Sequence, residues 1–252
     1  MGSVAVYRYH MLSYKQLWRA SLFSNFVIPL LFVASIGYGV GSYVNQGGEL
    51  GINYLDYLVP GLLVSTAMQL AVFECSFPVY SRFSWSKYYF AIQSTPVGVG
   101  GIIGGELLFV CTRVLITGAA FGLVMIVTGV TSGWWLLGAL PVTALFAMAV
   151  ATPTMTYSAS INSEGHFSLL FRFALIPLSL FSGVFFPVDQ LPLWLRPVAY
   201  VSPLWHAVEL CRAFSLSQVS FWPMVGHTAY LLGWLLVGTW LARMAYTRRL
   251  AR

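Results

Sequence analysis

Apolar residues run along this chain in blocks of twenty or more, separated by short polar pieces. A bilayer core about 30 Å thick needs about 20 helical residues at 1.5 Å each, and every backbone polar group inside it must be paired internally. Each long block therefore reads as a membrane-crossing helix. Six are predicted, at 22–44, 56–80, 101–128, 135–160, 167–187 and 222–246. The polar turn Asn45-Gln46-Gly47-Gly48-Glu49 closes the first, and Thr131-Ser132-Gly133 divides the third from the fourth. The expected fold is one all-α integral membrane domain over 1–252.

Two stretches fit neither span nor simple loop. Within 1–21, residues 5–19 mix aromatic and basic side chains at helical spacing, as in a helix lying in the headgroup plane. Residues 188–221 alternate apolar pieces with Pro192, Pro197 and Pro203, and Ser202-Pro203 reads as an N-cap followed by proline at the first helical position. Two short helices are predicted there. Their apolar character, with Trp194 and Trp205, suits helices that dip into the outer leaflet and return.

Composition removes the competing classes. Thirteen Lys or Arg and seven Asp or Glu make 8% of the chain charged, against about 25% in soluble domains, and 58% is hydrophobic. Val114 to Ser163 contains no Asp, Glu, Lys or Arg. Neither a soluble globule nor a disordered chain has this profile. Ala20 to Gly48 is uncharged and about twice the length of a signal-peptide apolar region, so an uncleaved first span is expected. The net charge of +6 is spread between apolar blocks rather than along one face, which argues against nucleic acid. Cys75, Cys111 and Cys211 are too few and too scattered for a disulfide framework and read as buried small hydrophobes.

Orientation follows from the basic residues, because cytoplasmic connections retain them. Arg8, Lys15, Arg19, Arg82, Lys87, Arg243, Arg248, Arg249 and Arg252 fall on one side, and Arg196 and Arg212 on the other. Both termini are thus expected in the cytoplasm, with 81–98 and 161–166 as inner connections.

The polar inventory is too small for most catalytic sites. A P-loop needs Gly-Lys-Ser/Thr, and neither Lys15 nor Lys87 follows glycine. His10, His166, His206 and His227 show no zinc-hydrolase spacing, and no Gly-x-Ser-x-Gly elbow occurs. Asp56 and Asp189 are the only aspartates, too few for a Mg²⁺-diphosphate site. An enzyme is not expected, nor a cofactor or metal held by this chain.

Charges inside spans default to functional candidates. Glu106 and Arg113, seven residues apart, share a helix face, and Glu74 and Glu106 lie at similar depth from the 81–98 connection. Two acids and an arginine can meet there. Two readings stay open: ion-paired glue between helices, or a role in a transport path. Arg172 is placed to snorkel toward the inner surface. The connection 81–98 is too polar to span and unusually aromatic, which fits either protein docking or an interfacial aromatic belt.

Phe181-Ser182-Gly183-Val184-Phe185-Phe186-Pro187-Val188-Asp189-Gln190-Leu191-Pro192, followed by Pro203-Leu204-Trp205-His206-Ala207-Val208-Glu209-Leu210-Cys211-Arg212, resembles the C-terminal signature of type-2 ABC exporter permeases. It is similar in particular to nodulation-factor (lipooligosaccharide) exporter permeases and to actinobacterial drug-exporter permeases. Gly104-Gly105-Glu106-Leu107, Phe73-Glu74 and Thr247-Arg248-Arg249-Leu250 add to the likeness. The resemblance implies a type V exporter-like layout in a bacterial plasma membrane: six spans, a cytoplasmic elbow helix at 1–21, a coupling helix within 81–98 and a re-entrant pair at 188–221. It implies a second permease, identical or paralogous, and two cytoplasmic ATPase subunits that hold ATP and Mg. By this likeness Arg82, Trp85, Lys87, Tyr88 and Tyr89 meet the ATPase, Glu74, Glu106 and Arg113 form an intramembrane polar cluster, and Phe186, Pro187, Trp194, Trp205, His206 and Glu209 form an outer gate. The expected cargo is an amphiphilic lipid, glycolipid or hydrophobic drug moved outward. The alternative is a proton-coupled secondary transporter using Glu74 and Glu106.

Overall fold

The computed structural model describes residues 2–32, 34, 35, 39, 52–130 and 133–251. Among them no strand occurs, and the elements are helices joined by short turns.

Helix α1, Gly2–Phe32, is continuous where an elbow at 1–21 and a separate span from 22 were expected. No glycine or proline interrupts Ser3 to Ile28, so nothing in the sequence breaks the helix at that boundary. The rest of the expected first span and the Asn45–Glu49 turn lie outside the described residues, as do Thr131 and Ser132.

Helix α2, Tyr54–Cys75, is capped by Asn53, whose Oδ1 accepts from the Leu55 N–H at 3.0 Å. The span expected at 56–80 is broken at Ser76, and the chain restarts as α3, Phe77–Ser84. Pro78 explains the break, since it has no N–H to offer the Glu74 carbonyl. After Trp85 and Ser86 the chain turns through Lys87, whose φ of 54° is left-handed, into α4, Tyr88–Gln93. The 81–98 connection is therefore a bent pair of short helices.

Helices α5, Val99–Val127, and α6, Leu136–Ser160, follow. Helix α7, Glu164–Phe181, contains a π-helical stretch over Phe171–Leu175. It stops six residues short of the expected 187 because Ser182 and Gly183 (φ 75°) turn the chain. Residues 183–185 then lie across the start of α2: the Tyr57 hydroxyl donates to the Gly183 carbonyl and the Tyr54 hydroxyl to that of Phe185, each at 3.1 Å. Two short helices come next, α8, Arg196–Val201, and α9, Pro203–Ser215, separated by Ser202. Ser202 Oγ caps α9 through the Leu204 N–H and accepts a 2.7 Å bond from Ser182. Helix α10, Phe221–Leu250, completes the described chain.

Five helical stretches among the described residues are long and apolar enough to cross a membrane: Tyr54–Ser84, Val99–Val127, Leu136–Ser160, Glu164–Phe181 and Phe221–Leu250. The first is the most enclosed, whereas the last two leave most of their surface uncovered. The interior divides into two apolar clusters. One, with Leu58, Phe121, Phe146, Val184 and Val208, joins α2 to α5, α6 and α9. The other, with Cys75, Phe83, Tyr89, Ile102, Met155 and Tyr246, lies at the end of the bundle where both termini and 81–98 come together. Cys75 and Cys211 are buried as expected of small hydrophobes, while Cys111 is half-buried.

Candidate functional site

One carboxylate organises the terminal end of the bundle. Glu106 lies in the second turn of α5 and is 1% exposed. Arg82 of α3 donates from Nη1 to both of its oxygens, at 2.9 and 3.0 Å. The Tyr89 hydroxyl of α4 donates to Oε1, and His10 Nε2 of α1 lies 3.1 Å from the same oxygen. A carboxylate can accept about four hydrogen bonds, so Glu106 serves Arg82 and Tyr89 at once, with His10 close beside them. Four elements thus meet at a single anion in a nearly dry setting, where removing one partner strands another.

Small residues make the meeting possible. A Cβ on Gly105 would lie 2.5 Å from Val6 Cβ and 2.8 Å from the Ser3 carbonyl oxygen, so α1 reaches α5 only over bare backbone. That approach delivers His10 to Glu106. Aromatic packing completes the frame: Phe83, Tyr89 and Tyr246 have ring centroids 4.6 to 5.5 Å apart, and Tyr88 stacks on Tyr9 at 4.4 Å. Burial, with Tyr9 beside it, pushes the Tyr88 hydroxyl up to about 12, and burial also raises Tyr89, so both are neutral donors at physiological pH.

The triad Glu74, Glu106 and Arg113 does not form as a unit. Arg113 Nη2 pairs with Glu74 Oε1 at 3.0 Å and its guanidinium covers the Tyr14 ring at 4.0 Å, while Glu106 turns to Arg82. Side chains on a helix lean toward its N-terminus. On α5 this aims Arg113 back toward Glu74 and aims Glu106 at the 81–98 connection. Arg172 is exposed.

Among the residues expected to meet a partner, Tyr89 is fully buried and Arg82 is occupied by Glu106. These two face the interior of the chain. Trp85 is 59% exposed and Lys87 is exposed, while Tyr88 is half-buried against α1. Sequence reasoning missed Arg249. Its Nη1 donates to the Ser158 and Ile161 carbonyls at 2.8 and 2.9 Å, its Nη2 donates to Ser84 Oγ at 2.8 Å, and it covers the Phe83 ring. A cation beside the free carbonyls of a helix end is stabilising, and an arginine in the last helical turn was the available signal. Arg249→Ala should lower stability by about 2–3 kcal/mol, read as a lower thermal midpoint in detergent, because three charge-assisted bonds are lost.

At the far end, Arg212 donates to Glu209 at 2.7 Å and to the Gly183 carbonyl at 2.9 Å, and lies over the Tyr57 ring. His206 and His227 approach Nδ1 to Nδ1 at 2.7 Å, with Trp205 beside both and Tyr230 stacked on His206 at 3.8 Å. Phe186 packs with Trp205 around Val188, Leu191 and Ala199, whereas Trp194 is exposed. Pro187, at the N-cap of the short turn Val188–Gln190, is half-buried. Of the residues expected at an outer gate, Trp205 and His206 sit together, Glu209 belongs to the Arg212 pair, and Trp194 stands apart.

Among the described residues the chain is a helical bundle with several membrane-length spans and a buried ionic knot. Residues 4–215 match the ABC-2 type transporter family, and the chain belongs to it. It is 31% identical to Nodulation protein J of Rhizobium leguminosarum bv. trifolii over 99% of this chain and 94% of that protein. It is likewise 31% identical to Nodulation protein J of Rhizobium meliloti (strain 1021), over 98% of this chain and 93% of the other. It is 22% identical to the Daunorubicin resistance ABC transporter permease protein DrrB1 of Streptomyces coeruleorubidus, over 82% and 75%. The chain is an ABC-2 permease.

Proposed function

We propose that this permease moves an amphiphilic lipid, glycolipid or hydrophobic drug outward, powered by two separate ATPase subunits docked at the end of the bundle that carries both termini. In this reading six spans cross the membrane with both termini cytoplasmic, α1 beginning as the elbow and continuing into the first span, and two permeases face each other. The observation that carries the reading is the Glu106 knot. A push on the exposed Trp85–Lys87 bend is passed by Arg82 and Tyr89 to Glu106 on α5, and by Glu106 to His10 on α1. One input then tilts two long helices together, as rocking between inward and outward access requires. The nucleotide chemistry belongs to the partner. This chain supplies the lever and the pathway.

Trp85→Ala combined with Lys87→Ala should reduce ATPase co-purification at least tenfold while leaving the thermal midpoint of the permease unchanged, since both side chains are exposed. Undiminished co-purification would remove the bend as the docking surface. In the proton-driven alternative, Glu106 would have to load and release protons while held by Arg82 and Tyr89. Transport that survives ATP depletion but stops when the proton gradient collapses would favour it.

A further inference from the structure

A polar cavity of about 180 Å³ lies at the far end of the bundle, between α9 and the start of α10. Glu209, Arg212, Gln218, Ser220 and His227 supply its polar lining. Both signs of charge are present, and each has capacity left over. Glu209 Oε1 accepts from Arg212 Nη1 at 2.7 Å, and its second oxygen has no hydrogen-bond partner among the described residues. Arg212, 8% exposed, uses Nη2 on the Gly183 carbonyl, and its buried Nε has no hydrogen-bond partner. A buried donor without an acceptor is costly, so such a group marks a place where an acceptor belongs.

His227 adds an acceptor. The Tyr200 carbonyl can only accept, so His206 Nε2, 2.9 Å from it, carries a proton. In the neutral pair His206 Nδ1 therefore accepts from the Nδ1–H of His227, 2.7 Å away, and His227 Nε2 is left as an acceptor. The cavity thus offers Glu209 and His227 to a cation, and Arg212, with the exposed side chains of Gln218 and Ser220, to an anion. A plain anion would meet Glu209 and a plain cation would meet Arg212, whereas a zwitterion satisfies both. Depth in the bilayer says which zwitterion. The 30 residues of α10 extend about 45 Å against a hydrocarbon core of about 30 Å, so about five residues at each end stand in the head-group layer. Pro223 falls in that layer and His227 at its edge. Trp134, Phe221 and Trp222, each at least 70% exposed, lie at the same end, as aromatic side chains do at a membrane surface. At about 30 Å³ for each water-sized group the cavity takes about six, which a phosphate and a two-carbon ammonium arm fill.

We infer that this cavity binds the head group of a phosphatidylethanolamine in the leaflet at the far end, its phosphate taken by Arg212, Gln218 and Ser220 and its ammonium by Glu209 and His227. The ammonium brings N–H donors to those two acceptors; a trimethylammonium has none, and a glycerol head group brings no cation. Bound there, the lipid ties α9 to α10 through ligands on both. This binding requires only that the chain spans a bilayer, and it goes beyond the transport reading without depending on it.

The test titrates the purified chain in dodecyl maltoside with dihexanoyl phosphatidylethanolamine and reads the thermal midpoint, which rises with a ligand that binds the folded state. The midpoint should climb with concentration and saturate, while the same amounts of dihexanoyl phosphatidylcholine or phosphatidylglycerol leave it unchanged. Gln218→Ala with Ser220→Ala, both exposed, should keep the starting midpoint and weaken the apparent affinity about fivefold or more. Glu209→Gln should abolish the preference over phosphatidylcholine. Equal responses to the three lipids overturn the inference, as does a wild-type preference retained in both variants. So does equal affinity for glycerophosphoethanolamine, which would make the occupant a soluble compound rather than a lipid. Because no ATPase is present, failed ATP-driven transport would count against the permease reading and leave this binding result standing.

Discussion

Replacing Glu106 with glutamine should abolish amphiphile transport by the reconstituted complex while its ATPase continues to hydrolyse ATP. The amide keeps one acceptor oxygen but loses the charge that holds Arg82. Breaking a buried pair by removing one partner costs about 3–5 kcal/mol, and Arg82, partly exposed, places this case near the lower figure. The thermal midpoint should therefore fall clearly. Arg82→Gln added to Glu106→Gln removes the stranded cation and should recover part of the stability but none of the transport, because α3 and α4 no longer grip α5. Stability lost and regained without any change in transport would make the knot structural glue only. A double-mutant cycle over Arg82 and Glu106 gives their coupling directly.

Gly105→Val should be at least as damaging. Its Cβ would fall 2.5 Å from Val6 Cβ and 2.8 Å from the Ser3 carbonyl oxygen, and backbone cannot step aside as a side chain can. Overpacking of this kind costs about 3 kcal/mol, and here relief comes only by lifting α1 from α5. His10 would leave Glu106. The expected signature is transport lost together with new accessibility of His10, now 2% exposed, to diethyl pyrocarbonate. Wild-type protection of His10 in an active-looking variant would contradict this geometry. Val6→Gly in the same chain removes the side-chain clash but not the Ser3 contact, so rescue should be partial.

The apolar blocks made the long helices legible, because membrane thickness sets helix length independently of tertiary detail. Ends were less legible where a single residue decides them. Pro78 starts a new helix inside what reads as one apolar block, and Gly183 stops α7 inside another. Conversely, the change from aromatic-basic to apolar composition near residue 21 suggested a boundary, but no residue there breaks a helix, and α1 continues through it. Of the site, Glu74, Glu106 and Arg113 could be picked out as costly charges, yet their pairing depended on the direction in which long side chains lean. The partner His10 carries no signal of its own in one sequence, because aromatic and basic residues near a membrane surface are common. Tyr89 and Arg82 looked like surface residues by composition, and only the fold of α3 and α4 against Tyr246 turns them inward.

The most direct measurement compares ATP hydrolysis by the purified chain alone with that of the complex captured with it from native membranes. The account predicts no hydrolysis by the chain alone, a co-captured ATPase that does hydrolyse ATP, and a higher rate when an amphiphile is added. Hydrolysis by the isolated chain, or capture of no nucleotide-hydrolysing partner at all, would contradict it.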